Sequence, residues 1–299
     1  MAEERRVGVV LTAADGPAAG EVEPADAAAA IPDRLVARLV VERQVLELHD
    51  HDTGLARSPA AAVLLTGDEA DAVVARAAQD RPVDVVDLPP VRFDLRPHPN
   101  GDGGVAVRID GAPAQGWPLA GADDSLLTWV TRARLPEDQR RPRLHAAALA
   151  DDAGRAVVVL GDPGAGKSTL TAHLAHGGLD LVTDEQLTVF ADHGLVGAFT
   201  RPVLLKRPSL DHLPAGVAVR DPGDHPRLVV PAADLGSRHR LWGRPVLVVL
   251  PERSDDHEGA PTWELVPPAA ALAELCGHNL DLVRKPVAAL DAFAWLAAT

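Results

Sequence analysis

Residues 161–168 read GDPGAGKS and satisfy G-x-x-x-x-G-K-[ST]. Each position has a physical reason. Glycines admit positive φ and let backbone N–H groups approach phosphate oxygens, and a helix that starts at the lysine adds the positive end of its dipole. Gly161, Asp162, Pro163, Gly164, Ala165, Gly166, Lys167, Ser168 and Thr169 are therefore the expected nucleotide-binding residues. Lys167 would neutralise the β- and γ-phosphates, and the Ser168 hydroxyl would sit on Mg²⁺. The context fits, because an apolar run at 156–160 precedes the motif and a helical stretch to residue 176 follows it.

A P-loop serves ATPases, GTPases and kinases alike. The next expected strand narrows the choice, since it ends in Val182-Thr183-Asp184-Glu185. A carboxylate beside the P-loop hydroxyl is what a Mg²⁺-nucleotide needs, so Ser168, Asp184 and Glu185 are the expected metal residues. An acid pair this close to the P-loop suggests a compact kinase, as the large ATPase classes place their metal-binding acid much further on. The plain alternative is a pair of solvated turn acids, because Asp commonly ends strands.

The elements that position these groups can be read from pattern. From residue 144 the order is a strand LHAAALA, a turn DDAG, a strand AVVVL, the P-loop, a helix stopped by Gly177-Gly178, and a strand LDLVTD. Later strands are expected at QLTVF, RPVLLK, RLVVP and PVLVVL, and such alternation predicts an α/β sheet flanked by helices. Between 34 and 112, the β-like runs LVARLVV, QVLELHD, VRFDLRP and GVAVRIDG predict a smaller β-rich α+β domain, with helices over 67–80 and 123–134 and a loop over 12–33. The Pro- and charge-rich stretch at 135–143 marks the boundary, giving domains at 1–138 and 139–299; the pattern assigns the first no role, substrate recognition being one candidate.

Composition removes several classes. Net charge is −14, and no basic face is evident for a nucleic-acid backbone. The apolar run at 7–11 is too short for a signal segment or a membrane span, so a cytoplasmic protein without membrane contact is expected. Cys276 is the single cysteine, which precludes an intramolecular disulfide.

Taken in order, LHAAAL, GDPGAGKSTL and GLDLVTDE resemble the HPr kinase/phosphorylase family, over roughly residues 144–190 and more loosely to 253. The resemblance implies a C-terminal P-loop domain of the HPr-kinase/phosphoenolpyruvate-carboxykinase-like type, and a homo-oligomer, since HPr kinases are hexameric. It matches His145 to the family's active-site histidine, and Asp184 to the acid that helps deprotonate a serine hydroxyl. Glu185 falls on the second acid, near the metal, where the family uses Asp. Without the resemblance, a lone strand histidine is more often a core neighbour than a catalyst. The downstream signature that supports phosphorolysis is absent, and Arg201 to Lys206 instead looks like the kinase-only relatives found beside peptide-modification genes.

The remaining chemistry-bearing residues carry weaker signals. Lys206 is a candidate phosphate or substrate contact, because lysine is scarce in this Arg-rich chain, and Arg240, Arg244 and Arg253 are candidates for transition-state charge. His49-Asp50-His51-Asp52 reads as a hairpin turn rather than a metal site, and the surrounding stretch is similar to PqqD-like modules that hold precursor peptides. His278-Asn279 reads as a helix cap that could line a pocket. The expected activity is ATP- and Mg²⁺-dependent transfer to a serine of a protein or peptide. A small-molecule hydroxyl kinase and a nucleotide-dependent regulator without transfer stand as alternatives.

Overall fold

The computed structural model describes residues 34–41, 44–50, 69, 72–73, 75–76, 91–97, 105–110, 115–117, 141–223, 226–252, 261–280 and 286–299. By compactness, residues from Arg141 onward group with 69–76, and most of a separate five-stranded sheet forms a second unit. The expected elements at 12–33 and 123–134 lie outside the described residues.

The smaller unit's sheet has the order β1 (Arg34–Val41), β2 (Gln44–Asp50), β3 (Val91–Pro97), β4 (Val105–Ile109) and β5 (Gln115–Trp117). Phe93 and Leu95 are fully buried while Arg92, Asp94 and Arg96 keep solvent contact, the period of two expected for one covered face. β2 pairs parallel with β3, so the chain crosses over between Asp50 and Val91 instead of turning straight back. His49 and Asp50 accordingly end β2, and His51 and Asp52 lie outside the described residues. Of the expected helix over 67–80, residues 69, 72, 73, 75 and 76 are helical, and Val73 joins the larger unit's core.

In the larger unit, β6 (Arg143–Ala150) and β7 (Arg155–Leu160) form a hairpin, with Gly154 at φ +78° in the turn. Helix α1 (Lys167–His176) leads to β8 (Asp180–Thr183), followed by β9 (Gln186–Phe190) and β10 (Leu195–Gly197). A separate two-stranded hairpin, β11 (Val203–Lys206) with β12 (Arg227–Val230), precedes β13 (Trp242–Val249). Helices α2 (Pro268–Gly277) and α3 (Pro286–Ala297) follow.

The main sheet runs β7-β13-β10-β9-β6-β8, and β6 also pairs with β7, so five of its strands close upon themselves. The expected α/β alternation holds only for β7–α1–β8. Among the described residues β13–β7 is the sheet's parallel pair, and its other pairs are antiparallel. Loop length accounts for β6–β7 and β9–β10: residues 151–154 and 191–194 are too short for a crossover and allow only antiparallel neighbours.

β6 is the strand on which the rest is built. Its apolar run RLHAAALA has the composition of a strand covered on both faces. Ala146, Ala148 and Ala150 join a core with Trp242, Leu275, Phe293 and Leu296, whereas Ala147 and Leu149 join another with Ala172, Ala175, Leu205 and Val230. The C-terminal helices thus cover one face, and α1 with the β11–β12 hairpin covers the other.

The edges of β6 set the site. On one edge, β9 pairs with Arg143 to His145 and β8 with Ala148 to Ala150, so Asp184 and Glu185 form a break in pairing opposite Ala146 and Ala147. On the other edge, β7 covers Ala146 to Ala150, and residues 278–280 cover the start of the strand. Those residues are held by His145 N–H to the His278 carbonyl at 2.9 Å and Leu280 N–H to the Arg143 carbonyl at 3.0 Å.

Candidate functional site

The P-loop leaves β7 at Leu160, opposite Ala146, and runs into α1 at Lys167. Gly164 and Gly166 hold φ of +100° and +94°, and a Cβ at either would meet nothing within 4 Å. Backbone conformation, not packing, is therefore what requires glycine there, and the space over the loop stays open to a ligand. The first turn of α1 contains no acid and receives no side-chain cap, so its N–H groups and dipole remain uncompensated by the helix's own side chains.

Lys167 is 7% exposed and donates from Nζ to the carbonyls of Gly161 and Asp162. Burial lowers its pKa, while Asp184, Glu185 and Asp162 oppose the shift. The lysine of the motif and both acids of the next strand thus lie within electrostatic reach of one another. Asp184 is 3% exposed, and its Oδ2 accepts the Leu204 N–H at 3.2 Å. Burial pushes its pKa up to about 6, with Glu185 adding to the rise; Arg201, the Leu204 N–H and the neighbouring Ser168 side chain pull the other way. Among the described residues, its Oδ1 is buried without a hydrogen-bond partner.

Ser168 and Asp184 are therefore brought together as a pair of oxygen donors, one of them a carboxylate oxygen with no protein partner. That donor set suits a hard cation such as Mg²⁺, which takes carboxylate oxygens and phosphate together. Among the described residues no cluster of three or more His, Cys, Asp or Glu offers a cage made by protein alone. A cation here would complete its coordination with oxygens from outside the protein.

Glu185 is held differently from its neighbour. Its Oε1 lies 3.3 Å from Nδ1 of His145, and its Oε2 accepts from Nη2 of Arg201 at 2.5 Å. Burial alone would raise this acid, but Arg201, then His145 and Arg227, outweigh it and hold it at about 2. One acid is thus raised to about 6 and the other stays anionic well below that. Environment separates two carboxylates adjacent in sequence.

Arg201 is 2% exposed, with its guanidinium carbon 6.0 Å from the Phe199 ring centroid. Sequence reasoning quoted this residue without a role, because Arg is abundant in the chain. The available signal was an arginine inside the apolar context AFTRPVLL, where burial demands a partner. Lys206 is exposed and pairs across the hairpin with Arg227, and it acts electrostatically on Lys167.

Other candidates fall elsewhere. Arg240 lies 3.5 Å from Asp180 at the opposite end of β8 from Asp184, in an ion-pair group with Arg76 and Arg238. Arg244 pairs with Arg155 at the start of β7, remote from the loop at its end, and Arg253 lies outside the described residues. Ser237 is structural, donating to the Leu179 carbonyl and accepting the Leu181 N–H. Cys276 is half-buried against the core. No protein-family model and no curated protein matches this chain, so the chemistry must be argued from its own residues.

Proposed function

We propose that the chain is a kinase that transfers the γ-phosphoryl group of ATP to a hydroxyl, that of a serine in a protein or peptide. The observation that carries this reading is the buried Asp184, which acts on the P-loop Lys167 and keeps an unpartnered Oδ1, directly beside the His145–Glu185 pair. It joins a phosphate-binding loop to a carboxylate and to a base candidate within one site. Serine as the acceptor draws on the resemblance of the His145, P-loop and Asp184-Glu185 trio.

The loop N–H groups and Lys167 hold the phosphates, and Ser168 with Asp184 would hold Mg²⁺, which when bound neutralises charge on the phosphates. Glu185 faces Nδ1 of His145, which leaves Nε2 free to accept a proton, the arrangement by which a carboxylate orients an imidazole base. As the acceptor oxygen bonds to the γ-phosphorus, the bond from phosphorus to the bridging oxygen breaks and ADP departs. The hydroxyl proton passes to Nε2 of His145. Arg201 keeps Glu185 anionic throughout. These roles differ from those implied by the resemblance, in which Asp184 takes the proton and Glu185 neighbours the metal.

The test is incubation with γ-labelled ATP, Mg²⁺ and serine-bearing peptides, followed by mass spectrometry. Label on a serine, lost with Lys167→Ala, is the expected result. Label confined to a small hydroxyl metabolite would favour the small-molecule kinase. Nucleotide binding with no transfer, and in-cell function lost with Lys167→Ala but kept with Asp184→Ala, would favour a regulator.

A further inference from the structure

His278 follows α2 and has a side chain only 10% exposed. Two independent constraints place it at the P-loop. Its carbonyl accepts the His145 N–H at 2.9 Å, which lays residues 278–280 along β6 where β7 ends and the loop departs. Its Nε2 lies 3.8 Å from Oδ1 of Asp162, the second residue of the loop, which is longer than a hydrogen bond. The ring therefore borders the space between Asp162, Lys167 and His145.

In a bound triphosphate the inner phosphates would lie against the loop from Gly164 to Ser168, and the outermost one would extend past Lys167 toward the proton acceptor. We propose that His278 is a γ-phosphate contact, donating Nε2–H to an oxygen of the terminal phosphoryl group of a nucleoside triphosphate. This rests on the kinase reading for its place in the reaction, and on the P-loop alone for its binding. Burial and the positive charge of Lys167 favour the neutral ring, against Asp162 and Glu274, so His278 presents a single N–H donor beside the lysine. The end of α2 thereby becomes part of the active site.

Calorimetric titration of the full chain with a non-hydrolysable ATP analogue and with ADP, each with Mg²⁺, tests this without an acceptor. His278→Ala should weaken the triphosphate by roughly tenfold or more, the scale of one hydrogen bond to a charged group, and leave ADP within about twofold. His278→Gln, which keeps an N–H donor, should restore most of the loss. Equal weakening of both nucleotides would mean that the residue only supports the loop, and unchanged triphosphate affinity would remove it from the site; either overturns the proposal. Should the wild-type chain discriminate the nucleotides through His278 yet transfer nothing, the kinase reading fails and this contact stands.

Discussion

Oε1 of Glu185 lies 3.3 Å from Nδ1 of His145, across the break that separates β8 from β9. The contact exists because His145 is the last residue of β6 paired to β9, opposite Gln186, and Glu185 is the residue just before it. Position along one strand thus fixes a side-chain pair.

Glu185→Gln should impair both folding and transfer. Its folded pKa of about 2 lies below the ordinary 4.5, so its contribution is fully present above pH 4.5 and is lost as pH falls toward 2. Removing the charge also strands the buried Arg201, at a cost of roughly 3 kcal/mol. Denaturant melts should show the variant less stable at pH 7 and converging with the wild type near pH 2. Arg201→Met in the same chain should recover part of the loss, giving a coupling term in a double-mutant cycle.

Asp184→Asn should have the opposite effect on stability. The folded pKa, raised from 3.8 to about 6 by burial, means that the ionised acid opposes folding above that range and not below 3.8. The variant should be more stable than the wild type at pH 8, by on the order of 2 kcal/mol, and equal to it near pH 3.5. Transfer and Mg²⁺-dependent nucleotide binding should be lost at the same time. Gain of stability with loss of function is what a residue kept for chemistry predicts.

How much of this was legible follows from range. The P-loop, the strands around it and the hairpin turn at 151–154 are local patterns, and all appear where spacing and turn chemistry put them. The closure of the sheet was not legible, because pairing of β7 with β13 joins residues some ninety positions apart and leaves no local period. The roles of Arg201 and His278 were obscured for another reason. Each is an ordinary residue type whose role comes from a partner brought by topology, Glu185 in one case and the loop in the other.

His239 and Asp184 should titrate with opposite effects across the mildly acidic range, so the contribution of His239 is measured in the Asp184→Asn background. The histidine is buried, and burial lowers its pKa to about 4, with Glu69 and Asp180 only partly offsetting the shift. A histidine depressed from 6.5 contributes stability that is present above pH 6.5 and lost as pH falls toward 4. His239→Gln should flatten the stability profile between those limits, measured as urea midpoints at half-unit intervals. An unchanged slope would place the titration elsewhere.

Gly243 sets how closely β13 approaches β7. A Cβ built there would lie 2.6 Å from Cβ of Ala156, and neither atom is the end of a flexible chain. β13 pairs with both β7 and β10, and a register shift at Pro245 already disturbs its ladder, so the strand cannot slide away without breaking one of its two pairings. Overpacking of this kind costs about 2 kcal/mol, so Gly243→Ala should lower the melting temperature by several degrees. Ala156→Gly in the same chain removes the colliding methyl and should return most of that loss. Because β7 ends in the P-loop, any backbone shift at Ala156 would be carried along the strand to Gly161. The single variant should therefore weaken nucleotide binding as well, and the double variant should restore both together.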